Sequence, residues 1–211
     1  NILHESELFL KGQYLETRLK NKIKFSKSSE SSSQKKIGII CVPTPLPNEQ
    51  QSDIHVISAI KEFLRTSKKG DIIIMESSVE VGTMDNVNSI IESNGYKVGI
   101  DFGLAFCPER IDPNNQKWNL NNIPRVAYSS DDMTFQIIEI IYHDVNNSNL
   151  FRVTSPKTAE VVKSFENTFR LVNISLVNEL AILCDKLEIN VSEVIEAAST
   201  KPFGFMPFYP G

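Results

Sequence analysis

Cysteine, net positive charge and long apolar runs are all scarce in this chain of 211 residues. Its three cysteines, Cys41, Cys107 and Cys184, are odd in number, lie far apart and show no C-x-x-C spacing. That excludes a disulfide framework or a cysteine zinc site and fits a reducing compartment. The three histidines, His4, His55 and His143, are scattered, so no metal site is expected from their spacing. Lys and Arg number 22 against 26 Asp and Glu, a formal net charge of −4. No overall basic field is present to hold nucleic acid. No apolar run approaches the roughly 20 residues that cross a bilayer, and no basic-then-apolar leader opens the chain. The expectation is a cytoplasmic protein with no membrane insertion. At 41% hydrophobic and 23% charged residues, the composition is globular. The chain begins at Asn1 and stops at Gly211 behind a proline-rich stretch, and both ends read as cut.

Residues 1–36 carry the weakest pattern. The stretch 26–36, S-K-S-S-E-S-S-S-Q-K-K, reads as a polar loop. From there short apolar runs alternate with amphipathic segments. Ile37-Gly38-Ile39-Ile40-Cys41-Val42 has the unbroken apolar character of a strand buried on both faces. Ser52 or Asp53 caps a helix whose Ile54, Ile57, Ile60 and Leu64 share a face. A second strand is expected at 71–75, then a helix capped by Thr83 and closed by Gly95. Strands at 102–107 and 126–128, a helix over 132–142 and a strand at 150–153 follow. This alternation predicts an α/β fold, a Rossmann-like parallel sheet with helices on both faces. Ligands bind such sheets where the strands' carboxyl ends open into loops. Three of those loops hold the unusual residues: 42–45, 76–79 and 107–110.

The tail differs. Ser155-Pro156 is a strong helix start, and no breaker follows until about Leu187. One helix of roughly thirty residues, about 45 Å long, is predicted. Its apolar residues cover more than one stripe: Val161, Phe165, Val172 and Leu176 are expected to meet the domain. Val162, Phe169, Leu180 and Leu183 are left for a partner. A homodimer through the 155–187 helix is the expectation; the alternative is that a C-terminal domain of the protein, not a second chain, covers this face. Asn190 and Glu193 read as the capping box of a last short helix, before an aromatic, proline-stiffened end over 201–211.

The stretches CVPTPL (41–46), ESSVEVGT (76–83), LAFCPERIDPNN (104–115), EVVKSFENTFRLVNISLVNELAILCDKL (160–187) and EVIEAASTKPFGFMPFYPG (193–211) resemble, in order, the UDP-glucose/GDP-mannose dehydrogenase family. Within it they are most similar to the branch acting on UDP-N-acetylglucosamine. The resemblance implies an NAD-binding Rossmann domain over 1–153 and the start of a helical dimerisation domain over 154–211. It implies NAD as cofactor, a UDP-sugar as substrate, and oxidation of a sugar CH₂OH to a carboxylate in two hydride transfers through a cysteine-bound thioester, for surface polysaccharide synthesis. It places Pro43, Thr44, Ser77 and Ser78 at the cofactor. Catalytic roles fall on Ser78, which helps to order a water, on Glu109, which activates it, and on Lys163 and Asn167, which stabilise an oxyanion. Glu109, Arg110, Lys163, Phe208, Tyr209 and Gly211 are implied at the substrate.

The chemistry is physically coherent. Lys163 and Asn167, four apart, project from one helical face, and an ammonium and an amide aimed at one point stabilise an alkoxide. A Glu109 carboxylate desolvated at a strand end would serve as a base. Taken singly, each residue has a plainer reading: a solvated helix face, a surface ion pair, turn serines, packing cysteines. The ordered set outweighs these. Two family features are missing from the sequence, the G-x-G-x-x-G turn that cradles a pyrophosphate and the G-G-x-C segment with the nucleophilic cysteine. The chain therefore reads as the middle of an enzyme, expected to be inactive alone. A non-catalytic dimerisation or scaffold module is the alternative. A 3-hydroxyacid or 6-phosphogluconate type of dehydrogenase lacks the C-P-E-R and K-P-F-G-F blocks.

Overall fold

The computed structural model describes residues 28, 31–44, 53–112, 115, 117–119, 121–146 and 150–211. Most of the 1–30 stretch, Pro45 and the Ser52 cap lie outside them. Among the described residues, five strands form one sheet in the order β1 (Ile37–Ile40), β2 (Ile72–Met75), β3 (Gly103–Phe106), β4 (Arg125–Ser129) and β5 (Leu150–Arg152). Helix α1 (Ile54–Leu64) links β1 to β2, and α2 (Thr83–Ser93) links β2 to β3. These crossovers make both pairs parallel, as expected. The next pair corrects the all-parallel expectation: β4 runs antiparallel to β3. Parallel neighbours are usually joined by a helical crossover, and no helix is described between Phe106 and Arg125. Helix α3 (Asp132–Asn146) then restores the rule, and β5 pairs parallel with β4.

Both sheet faces are covered, which is why the central strands read as unbroken apolar runs. On one face Ile73, Met75, Leu104, Phe106 and Val126 pack with Val56, Ile60 and Leu64 of α1 and Met84, Val87 and Ile91 of α2. The intervening residues Ile72, Ile74, Ala105, Cys107 and Ala127 meet Ile138 and Tyr142 of α3 on the other. Each fully buried side chain of this size contributes about 1.5–3 kcal/mol. Helix α3 lies so close to β3 that a Cβ on Gly103 would stand 2.4 Å from the Thr134 hydroxyl. The α1 face differs from the expected one: Val56 is buried and Ile54 exposed, because positions 56, 60 and 64 repeat at one-turn spacing.

Helix α4 (Pro156–Lys186) has Pro at its first turn, and the Ser155 side chain accepts the Thr158 N–H. Helix α5 (Val191–Ser199) follows, with Asn190 accepting the Ser192 N–H. The predicted sides of α4 hold only in part. Val161, Phe165, Val172 and Leu176, expected to meet the domain, are exposed. Of the residues expected to be left uncovered, Phe169 and Leu183 are exposed, whereas Val162 packs on the core and Leu180 is half-buried. The first turns dock most deeply, through buried Ala159 and Glu160. A helix about 46 Å long at 1.5 Å per residue outruns the short strands beneath it. Its far end is held by α5, where Cys184 and Ile195 are buried.

Candidate active site

Because β1, β2 and β3 are parallel neighbours, loops 41–44, 76–79 and 107–110 leave the sheet at the same end. The reversal of β4 brings its first residue, Arg125, to that end too. Continuing the register Ala105↔Ser129 and Phe106↔Tyr128 sets Arg125 opposite Glu109. Its side chain is 2% exposed, with Nη2 3.3 Å from Glu109 Oε2 and 3.5 Å from Glu76 Oε2. It also donates to the Cys107 carbonyl at 3.3 Å and stacks over the Tyr142 ring, 4.4 Å from its centroid. The Tyr142 hydroxyl donates to Glu76 Oε1, and burial pushes the Tyr142 pKa up. Among the described residues, Arg125 Nε has no hydrogen-bond partner.

Glu109 accepts the N–H groups of Arg110 (2.6 Å) and Ile111 (2.9 Å) through Oε1. Its side chain is 39% exposed, so the desolvated base expected from the sequence is replaced by a partly solvated carboxylate held by backbone donors and Arg125. Lys163 donates to the Glu109 carbonyl. Burial lowers the Lys163 pKa from its ordinary value, against the opposing pull of Glu166 and Glu109. Asn167, one turn further on, is exposed and does not reach the Glu109 carbonyl with Lys163. Arg110 pairs with Glu166 through Nε at 3.2 Å and Nη2 at 2.5 Å, and donates to the Pro124 carbonyl at 2.9 Å. Arg170 reaches Asp112 at 3.4 Å. Positions 163, 166 and 170 share one face of α4 and staple the loop that carries Glu109.

At the neighbouring loops, Ser77 is buried and serves the backbone: its hydroxyl accepts the Val42 N–H and lies within bonding distance of the Val42 carbonyl, both 2.8 Å. Ser78 and Pro43 are exposed and Thr44 half-buried. Loops so fixed, with polar groups turned outward at the strands' carboxyl ends, fit the edge of a dinucleotide site. Phe208, Tyr209 and Gly211 stand apart from Glu109. Phe208 meets Phe169 edge-on at 5.8 Å, the Gly211 N–H reaches Asn178 Oδ1 at 3.3 Å, and Tyr209 is exposed. Phe208 lines an open cavity of about 520 Å³ with Phe169, Asn173, Leu176, Val177 and Met206.

Arg125, Tyr142 and Glu166 escape the sequence reading, and Glu76 enters it only as part of the 76–79 loop, with no role of its own. The available signal was a charged residue opening an apolar strand, Arg125-Val126-Ala127. Cysteine also needs correcting. Cys41 is exposed rather than packed, with Sγ 3.8 Å from Glu76; desolvation and the Glu76 charge push its thiol up to about 11. Cys107 is buried, and desolvation takes it to about 11 as well, which leaves it inert as a nucleophile.

Comparison with known proteins gives the chain a family. Residues 3–146 match the NAD binding domain of the UDP-glucose/GDP-mannose dehydrogenase family, and residues 157–211 its central domain. The chain is 34% identical over 192 residues to the UDP-N-acetyl-D-glucosamine 6-dehydrogenase of Salmonella typhi, covering 90% of this chain and 45% of that protein. To the UDP-N-acetyl-D-mannosamine dehydrogenase of Pyrococcus horikoshii it is 33% identical over 182 residues, or 86% and 43% of the two chains. The native structure of a UDP-N-acetyl-mannosamine dehydrogenase from Staphylococcus aureus superposes with a TM-score of 0.75 at 35% identity, over 89% of this chain and 45% of that one. The chain thus spans less than half the length of these relatives. With two consecutive domain models matched across nearly all its residues, the chain belongs to the UDP-glucose/GDP-mannose dehydrogenase family, and its cofactor is NAD.

Proposed function

We propose that this chain acts within a longer cytoplasmic enzyme that oxidises the C6 hydroxymethyl of UDP-N-acetylglucosamine, or of a related UDP-sugar, to a carboxylate for surface polysaccharide synthesis. The observation that carries the reading is the meeting of Lys163, Glu109 and Arg125 at the strand ends where loops 41–44 and 76–79 also emerge. The balance is R–CH₂OH + 2 NAD⁺ + H₂O → R–COO⁻ + 2 NADH + 3 H⁺, and bound NAD would accept the hydrides. Lys163, with Asn167 beside it on α4, stabilises negative charge developing on the C6 oxygen. Glu109, held by two backbone donors, orients the water and receives its proton; Ser78 offers that water a hydroxyl. Pro43, Thr44 and the Ser77-fixed loop face the cofactor. Arg110 positions the Glu109 loop, and Phe208, Tyr209 and Gly211 serve the nucleotide end of the sugar donor. The domain change falls between residues 153 and 154.

Two chains pair through α4, whose Phe165, Leu171, Val172 and Leu176 are all more than half exposed. This apolar surface also favours the second reading, a dimerisation scaffold without turnover. NAD reduction by the family-length protein with UDP-N-acetylglucosamine, UDP-N-acetylmannosamine and UDP-glucose separates the two and fixes the sugar. The dehydrogenase reading predicts turnover that Lys163→Ala lowers on the order of 10²-fold in kcat with KM little changed. Absence of turnover with every sugar would favour the scaffold. The 211-residue chain alone is expected to reduce no NAD, and turnover by it that vanishes in Lys163→Ala would overturn that expectation.

A further inference from the structure

Glu160 is a fully buried carboxylate, and what holds it is unusual. Its two oxygens accept the backbone N–H groups of Gly82 and Met84, each at 2.8 Å. Those residues stand at the start of α2, whose N-cap is Gly82, with φ +99° and no side-chain cap of its own. Thr83, expected to cap this helix, is its first residue instead. A helix start leaves N–H groups without partners, and here the missing acceptor comes from a residue 76–78 positions away in sequence. The positive end of the helix dipole also favours a carboxylate there. Lys157, about one turn earlier, pairs with Asp85 of the α2 first turn at 2.7 Å. The docked start of α4 is thus tied to α2 by two polar links.

Lys163 follows Glu160 by three residues, on the adjoining turn, and donates to the Glu109 carbonyl. Gly82 follows Ser78 by four residues in the loop after β2. One short rigid piece of α4 therefore touches both the loop that ends in α2 and the loop that carries Glu109. We infer that Glu160 is a positioning residue: by capping α2 from α4 it sets where Lys163 stands relative to Ser78 and Glu109. A helix end fastened on one side only would let the Lys163 ammonium drift, and a displacement of about 1 Å costs on the order of 10²-fold in rate. This inference rests on the proposed dehydrogenase function for its kinetic consequence, but the cap itself does not.

The test uses Glu160→Gln, nearly isosteric, with Glu160→Ala beside it. A glutamine offers one acceptor oxygen and turns its amide N–H₂ towards an N–H, so one of the two bonds is lost. In the 211-residue chain, amide exchange at Gly82 and Met84 followed by NMR should accelerate about 10- to 100-fold. In the family-length protein, kcat should fall about 10-fold for Glu160→Gln and on the order of 10²-fold for Glu160→Ala, with KM for NAD and for sugar within about twofold. If Glu160→Ala does not fold, Glu160→Gln carries the test. Unchanged exchange would overturn the cap. Faster exchange with unchanged kcat, or a rise in KM alone, would overturn the positioning role. A family-length protein without turnover, or one indifferent to Lys163→Ala, would overturn the function and the kinetic role with it, while exchange would still decide the cap.

Discussion

Arg125→Met is the sharpest perturbation the structure offers. The guanidinium lies between the carboxylates of Glu76 and Glu109, at 3.5 and 3.3 Å, and only 2% of its side chain is exposed. At an effective dielectric constant near 20, each contact is worth about 4–5 kcal/mol of attraction before the cost of burying the ions is set against it. Glu109, at 39% exposure, can regain water when Arg125 is lost, so its share is heavily discounted. Glu76 is 18% exposed and keeps the Tyr142 hydroxyl and a long contact with the Cys41 thiol at 3.8 Å, neither of which carries a positive charge. Methionine fills most of the volume, so the expected loss is the uncompensated charge at Glu76, about 3 kcal/mol. For a domain of this size that lowers Tm by about 6–12 °C, read by circular dichroism at neutral pH. The second change Glu76→Gln should return about 1–2 kcal/mol, because the isolated charge disappears with it. A shift under about 2 °C in the single variant, or no recovery in the double, would refute the network as described.

Cys41 should alkylate slowly with iodoacetamide at neutral pH. With its thiol at about 11, its rate should be on the order of 10²-fold below a free cysteine, and Glu76→Gln should speed it; a free-thiol rate would contradict the geometry. Asp131 accepts the Thr134 N–H at 2.8 Å and the Thr134 and Ser130 hydroxyls at 2.7 Å. Burial opposes its charge, yet these donors bring its pKa below the ordinary value. Its stabilisation is therefore complete above the unfolded value, about 3.9, and is lost as pH falls through the lower folded value. Asp131→Ala should cost about 1 kcal/mol at pH 7, and the gap to the native chain, followed by urea unfolding, should close in acid. Light scattering should find the chain dimeric at micromolar concentration, with Phe165→Glu making it a monomer; a native species of 23.8 kDa would reject the pairing.

What the sequence made legible is what depends on neighbours along the chain. The runs 37–40 and 72–75 are strands because both faces of their sheet are covered, and an apolar run of that length records this directly. Ser155-Pro156 announced α4 because a cap and a first-turn proline act within four residues. The sidedness of α4 was legible only in part, since Phe169 and Leu183 are exposed as expected and the first turns are not as expected. Val161 and Val162 are adjacent and equally apolar, and only the packing of the first turns decides that Val162 points inward. Thr83 is not the cap that its sequence position suggests, for a related reason. Local chemistry nominates the threonine, whereas the chain uses Gly82 with a left-handed backbone and the carboxylate of Glu160, a partner no local window contains.

The reversal of β4 joins the fold to the chemistry. Had β4 paired parallel with β3, its first residue would lie at the opposite end of the sheet from Glu109. The guanidinium of Arg125 would then be a cost with no carboxylates to meet it. Running antiparallel, the same strand delivers its only charged residue, Arg125, to the end where Glu76 and Glu109 emerge. Conversely, a buried Arg opening an otherwise apolar strand needs an anion at that end, and the two carboxylates are at the carboxyl ends of β2 and β3. The direction of β4 was thus implied in the residues Arg125, Glu76 and Glu109 taken together. It was not legible in β4 alone, because alternation and propensity carry no information about which way a strand runs. Moving the charge tests this: Arg125→Met with Ser129→Arg keeps composition but places the cation at the far end. It should fail to restore the stability lost by Arg125→Met, since Ser129 pairs with Ala105, away from both carboxylates. Recovery to the native Tm would show that the end of the strand is immaterial and would remove this reason for its direction.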